Sequence, residues 1–178
     1  MSLLSLVITT MLPVYIPLQF INKSINSFEI PITWQIPTVI LLTLIFQKEV
    51  ILKAFYIYIF LGLFIAPVFH QGGSIGYLLT PNFGYLLGLY PLIKIIDNLN
   101  KRNKINFGNF LINGFIGICA LHLTGIFYNF IQIIFFSQFN IFLYNLGKYS
   151  VGKIGYHFIM LLPLLLLIKP IKHLKKSK

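Results

Sequence analysis

Long apolar stretches, broken by short polar or glycine-containing segments, run the length of the chain. A helix that crosses the hydrocarbon core of a bilayer needs about 20 mostly apolar residues, with a range of roughly 17–25. Six stretches read as spans: about Leu3–Ile21, Gln35–Gln47, Ile51–Phe69, Pro81–Ile96, Asn109–Phe136 and Ile154–Ile168. The second is short and starts beside Pro31 and Pro37; the fifth is long enough to tilt. The first twenty residues lack a basic leading region and an Ala-x-Ala site, so they read as a retained first helix rather than a signal peptide. The pattern predicts an all-α integral membrane protein, a single transmembrane domain over residues 1–178.

Composition agrees. Of 178 residues, 57% are hydrophobic and only 10% charged, against about 25% charged in a typical soluble domain. So few charges cannot coat a globule in water, and lipid is the natural solvent for most of this surface. The net charge of +11 would suit nucleic acid, but the basic residues cluster beside apolar spans, where anionic headgroups attract them. A bilayer partner is therefore expected, and no nucleic acid.

The positive-inside rule sets the orientation. With both termini cytoplasmic, the inner side holds Lys48, Lys53, Lys94, Lys101, Arg102, Lys104, Lys169, Lys172, Lys175, Lys176 and Lys178, and the outer side only Lys23, Lys148 and Lys153. That asymmetry favours six spans with both ends inside and a basic cytoplasmic tail over 169–178, in a multi-pass membrane protein. The loops after spans one, three and five then face outward.

Those outward segments carry the least ordinary sequence. Pro67–Thr80 has three glycines and no charge. It is too apolar for a solvated loop, and irregular backbone at membrane depth survives only where protein buries it or a cavity solvates it. A lid over a cavity meets both conditions. Thr80-Pro81 then marks a helix start, with Thr as N-cap and Pro in the first turn. The free N–H groups of that start suit a carbonyl or carboxylate oxygen. Asn82 adds donors and an acceptor, and Tyr85 lies about one turn on. Gly84 and Gly88 would let another helix approach closely. Trp34 and Gln35 open span two with an apolar ring and an amide.

Plainer readings stand beside these. Trp34 suits an interfacial aromatic belt, Thr-Pro a simple helix start, and Gly-xxx-Gly simple packing. His70 and His157 read as polar loop or interface residues. His122, mid-span, needs a polar partner. Cys119 is the one cysteine, the three acidic residues form no cluster, and neither a His-Glu-x-x-His nor a Walker sequence occurs. No metal, no cofactor, no catalytic residue and no ATP hydrolysis by this chain are expected.

Taken in order, the outward motifs resemble the BioY family, the biotin-specific S components of energy-coupling-factor (ECF) transporters. Pro31-Ile-Thr-Trp-Gln35 resembles its Pro-Val-Thr-x-Gln. Gly62-Leu-Phe-Ile-Ala-Pro-Val-Phe69 resembles its Gly-x-x-Gly-x-Pro-Val-Phe. Gln71-Gly-Gly73 and Gly76-Tyr-Leu-Leu79 resemble its glycine-rich loop. Thr80-Pro-Asn-Phe-Gly-Tyr-Leu-Leu-Gly88 resembles its Gly-Pro-Thr-Gly-Gly-Tyr-Leu-x-Gly. The match covers about sixty residues. It implies a six-helix S-component fold with an outward biotin pocket, working with an EcfT-type scaffold and two ATP-binding-cassette ATPases.

The resemblance implies a substrate site at Trp34, Gln35, Gly73, Asn82, Tyr85, Lys153 and Tyr156. Asn82 and Gln35 would pair with the ureido group, Trp34 and Tyr85 would wall the thiophane ring, and Lys153 or the span-four N-terminus would hold the carboxylate. Two departures stand out. The family's Pro-Gly-Asp-x-x-Lys at span six becomes Val151-Gly-Lys-Ile-Gly-Tyr156, with Lys153 at the Asp position and Tyr156 at the Lys position. Its Ala-x-x-x-Ala scaffold contact in span one becomes Ser5-x-x-x-Thr9. The alternatives are an S component for a different vitamin, a membrane-embedded lipid-modifying enzyme using His122 or His157, and a structural subunit without a ligand.

Overall fold

Prolines and glycines divide the apolar stretches into shorter elements than stretch length alone suggests. The computed structural model describes residues 2–21, 24–70, 72–102, 106–136, 139–168 and 170, without side chains for 16–21, 24–29 and 135–136. The basic tail, apart from residue 170, lies outside the described residues, as do Gln71 and residues 103–105.

Helix α1 spans Ser2–Met11, and the chain then turns into an antiparallel hairpin of β1, Pro13–Ile21, and β2, Ser24–Thr33. The first expected span, Leu3–Ile21, is thus helical only in its first half, and the otherwise helical fold gains one hairpin. The reason is local. Pro13 and Pro17 remove helical N–H donors and clash with the preceding turn, and the pattern switches to alternation: Val14 is buried while Tyr15 is exposed. The hairpin returns the chain to α2, Gln35–Ile45, where Pro37 is tolerated because first-turn N–H groups have no helical partner.

Helix α3, Lys48–Phe64, ends before Pro67 rather than at Phe69. A loop and a 3-10 turn, Ile75–Leu79, lead into α4, Pro81–Leu87, and α5, Leu89–Arg102. The break at Gly88 follows from Pro91, which has no N–H to offer the Leu87 carbonyl. Helix α6 spans Phe107–Phe136. The last helical stretch begins well before the expected Ile154: α7, Phe139–Asn145, a π-helical turn, Leu146–Val151, α8, Gly152–Ile159, and α9, Leu161–Leu164. Pro163 interrupts it at Met160 in the same way. Two stretches, Phe107–Ile134 and Phe139–Leu167, are long and apolar enough to cross a membrane.

The main core gathers Leu44, Ile51, Tyr58, Leu92, Ile93, Ile96, Ile118 and Leu121, all nearly inaccessible. Gly84 and Gly88 let α4 and α5 lie on α6. A Cβ on Gly84 would fall 2.5 Å from Tyr128 Cβ, and one on Gly88 would fall 2.6 Å from the Leu121 carbonyl oxygen. The outside remains apolar, with Phe64, Leu123, Phe127 and Ile134 exposed, as a lipid-facing surface requires.

Candidate functional site

The hairpin, α2, α3, α4 and α8 contribute walls to a cavity of about 380 Å³. The loop after α3 forms one side. Its glycines work by close approach: a Cβ on Gly73 would lie 2.6 Å from Pro67 Cα and 2.8 Å from the Gly62 carbonyl oxygen. The adjoining Ser74 amide donates to that same carbonyl at 2.8 Å. Gly72 (φ +144°) and Ser74 (φ +100°) take positive-φ backbone, which is strained for serine. Further bonds fasten the segment. The Tyr77 hydroxyl donates to the His70 carbonyl at 3.1 Å, Gln132 Nε2 to the Leu79 carbonyl at 3.0 Å, and the Tyr128 hydroxyl to the Leu78 carbonyl. Phe69, His70 and Tyr77 therefore face the cavity. Burial pushes the Tyr77 phenol above its ordinary range, helped by Tyr58 and Tyr149 and opposed by a hydrogen bond with Asn82, so it stays a donor.

Tyr58 is the polar hub of the floor. It is fully buried. Its hydroxyl lies 2.9 Å from Thr10 Oγ1, accepts from Gln35 Nε2 at 3.3 Å and donates to the Val68 carbonyl at 3.3 Å. That network ties α1, α2, α3 and the loop together. Across the cavity, α4 contributes Asn82 and Tyr85. Thr80 starts α4 as expected, but its hydroxyl donates back to the Tyr77 carbonyl at 2.8 Å and makes no side-chain cap. Tyr85 packs edge-on to His122, with centroids 5.7 Å apart, and near Tyr149 at 6.1 Å.

The π turn and α8 complete the wall with Lys148, Tyr149, Lys153 and His157. Both lysines lean on Tyr149, at 5.3 Å and 5.4 Å from its centroid, within cation–π range. Behind them lies a buried chain: His122 Nδ1 is 3.0 Å from Ser150 Oγ, and His122 Nε2 is 3.0 Å from His157 Nδ1.

Of the residues singled out by sequence, Gln35, Asn82, Tyr85 and Lys153 line this one cavity. Trp34 and Tyr156 do not. They pack on a satellite cluster of Val14, Ile30, Ile32 and Met160. Gly73 shapes the loop from behind it. Ser5 and Thr9 lie on α1, where the Thr9 hydroxyl donates to the Ser5 carbonyl at 2.6 Å. His157, read as a loop or interface residue, is buried and lines the cavity, as does His70. Sequence reading also passed over Tyr58, although a tyrosine in the middle of an apolar helix signals a buried hydroxyl that needs partners. Among the described residues, no group of three or more His, Cys, Asp or Glu side chains is placed to hold a metal.

Comparison with known proteins gives one answer. The model of the BioY family matches residues 1–163. A curated relative from Lysinibacillus sphaericus, "Probable biotin transporter BioY", is 32% identical over 108 residues, 58% of this chain. The match takes in 54% of that relative, so the chain spans about half the length of the curated relative it matches. A crystal structure of the S-component for biotin from an ECF-type ABC transporter superposes with a TM-score of 0.67 at 20% identity, covering 98% of this chain and 87% of that one. The two share a fold.

Proposed function

The chain belongs to the BioY family, and on that premise we propose that it is the biotin-capturing membrane subunit of an uptake system driven by an ECF module. The observation that carries this reading is the convergence of Gln35, Asn82, Tyr85 and Lys153, from three distant parts of the chain, on one cavity of about 380 Å³. That volume lies within the range of small-molecule sites, about 300–1,000 Å³.

Biotin has a ureido ring with two N–H donors and a carbonyl, an apolar thiophane ring and a valerate carboxylate. Gln35 and Asn82 supply amides for the ureido group. Tyr85, with Tyr58, Phe69 and Tyr77, supplies the aromatic wall, a role the placement of Trp34 in the satellite cluster leaves to them. Lys153 supplies a cation for the carboxylate. Among the described residues lining the cavity there is no carboxylate to serve as general acid or base. Ser150, the hydroxyl paired with His122, is 4% exposed and is not among the lining residues, so it has no route to a bound molecule.

The reading extends to topology and partners. Six spans place both termini in the cytoplasm and the cavity at the outer face of the plasma membrane. An EcfT-type scaffold and two ATP-binding-cassette ATPases supply the energy, because capture alone moves no solute uphill. On α1, Leu4 and Ile8 are exposed and Ser5 and Thr9 half-buried, a surface suited to helix–helix contact with the scaffold. The Lys-rich tail anchors the chain to anionic lipid.

Labelled biotin binding to detergent-purified protein, with and without excess unlabelled biotin, tests the reading. Saturable nanomolar binding supports it. A folded protein that binds none overturns it in favour of a second reading, an S component for a different vitamin. Lys153, standing where the family has Asp, is the observation that favours that alternative, and a competition panel of vitamins separates the two.

A further inference from the structure

The charged side chains described around the cavity are basic. Among the described residues, Lys148 and Lys153 line it together with His70 and His157, and no acidic side chain does. The carboxylate of Asp97 is engaged elsewhere, with Lys48 and Lys101. A cation partly withdrawn from water favours a counter-charge, which a carboxylate-bearing ligand would bring.

Lys153 and His157 are four residues apart on α8 and so share one face. The ring of His157 is only 7% exposed, and it is fixed from behind. Its Nδ1 lies 3.0 Å from His122 Nε2, and His122 Nδ1 lies 3.0 Å from Ser150 Oγ. One hydrogen occupies the line between the two rings, and a neutral imidazole has one N–H and one bare nitrogen. Two arrangements satisfy the chain. If His157 donates from Nδ1, its Nε2 is a bare acceptor. If Ser150 donates to His122 Nδ1, His122 donates from Nε2 to His157 Nδ1, and His157 carries its hydrogen on Nε2. Only the second gives the cavity a donor beside the Lys153 ammonium, and only a donor suits an anion.

We propose that Lys153 and His157 form a carboxylate clamp on α8. Lys153 Nζ and His157 Nε2–H each donate to the ligand carboxylate, and Ser150 and His122 act as positioning residues that hold the donating tautomer. This rests on the biotin reading and deepens it: the anchor of the last span is the pair 153 and 157, while Tyr156 belongs to the satellite packing.

The test compares biotin with biotin methyl ester, which keeps both rings and loses the anion, on the wild type and on H157F, H157Q and H122F. The expected result is at least tenfold weaker biotin binding by H157F with less than twofold change for the ester. H157Q, whose amide still donates, recovers part of the loss, and H122F falls between H157F and the wild type. Equal losses for acid and ester in both His157 variants would make His157 a packing residue and overturn the clamp. Should the wild type bind no biotin, the biotin reading fails on its own. The clamp is then decided on ¹⁵N-histidine-labelled protein titrated with sodium valerate. A shift of the His157 Nε2–H resonance that is absent in K153A upholds it, and an unmoved resonance overturns it.

Discussion

The two ends of α5 treat buried polarity in opposite ways. At its start, Leu89 lines a cavity walled by Gln35, Asn82, Tyr85, Lys153 and His157. Eight to twelve residues on, roughly 12–18 Å along the axis at ~1.5 Å per residue, the polar groups pair largely with one another, with Asn100 Nδ2 left without a partner among the described residues. Asp97 is 7% exposed, with its carboxylate 2.7 Å from Lys101 and 3.8 Å from Lys48 at the start of α3. Asn113 Nδ2 of α6 donates to Asn100 Oδ1 at 2.7 Å. Lys101 and Arg102 also oppose the negative end of the α5 dipole. The closed end ties three helices into one body; the open end leaves polar groups facing a void. The difference teaches that hydrophilicity within an apolar chain marks a binding site where polar groups line open space, and a fastening where they pack against one another.

Substitutions can break or sharpen this contrast. The largest effect is expected from Gly88→Val, because the two ends share the contact of α4 and α5 with α6. A Cβ there meets the backbone of Leu121, which cannot move as a side-chain tip can. Size-exclusion profiles in detergent should show loss of the folded species. Next, Lys48→Ala with Lys101→Ala strips a buried carboxylate of both cations and should lower the unfolding temperature. Thermal unfolding reads that loss, while ligand affinity stays within twofold if the ends are independent. Asn82→Ala should do the reverse. It should weaken binding about tenfold, in line with ~1–1.5 kcal/mol for a lost hydrogen bond, and leave the melting temperature nearly unchanged. The smallest effect is expected from Trp34→Phe, less than twofold in affinity, because the ring packs in the satellite cluster; a tenfold loss would show that the indole reaches the ligand after all.

Parts of this were legible in the residues, and parts were not. Apolar length and scarcity of charge carried the reading of a membrane protein, and Gly84 and Gly88 marked a close helix contact that the structure contains. The hairpin went unread because Pro13–Ile21 is as apolar as the helix before it, and only its alternation and two prolines distinguish it. At Thr80 the helix start was readable from Pro81, but the hydroxyl had a competing local carbonyl, a choice between rotamers that sequence does not express. The last span holds the clearest ambiguity. Positions three and four residues after Lys153 lie on either side of it, about 100° apart around the helix. Periodicity cannot choose between Tyr156 and His157; the packing of β2 and Trp34 against α8 does.

The π turn at Leu146–Val151 has a genealogical consequence. Its wide ring is closed by the Gly152 amide on the Gly147 carbonyl, five residues back, which is the signature of one residue more than an α-helix accommodates. Each residue inserted into a helix rotates everything beyond it by about 100° relative to what came before. A single-codon insertion or deletion here would therefore change how Lys148, Tyr149 and Ser150 are set around the helix relative to Lys153 and His157. Relatives that differ by one residue across this turn would line the same cavity with different side chains while keeping the same helices, so this short segment offers a route by which ligand preference diverges without a change of fold.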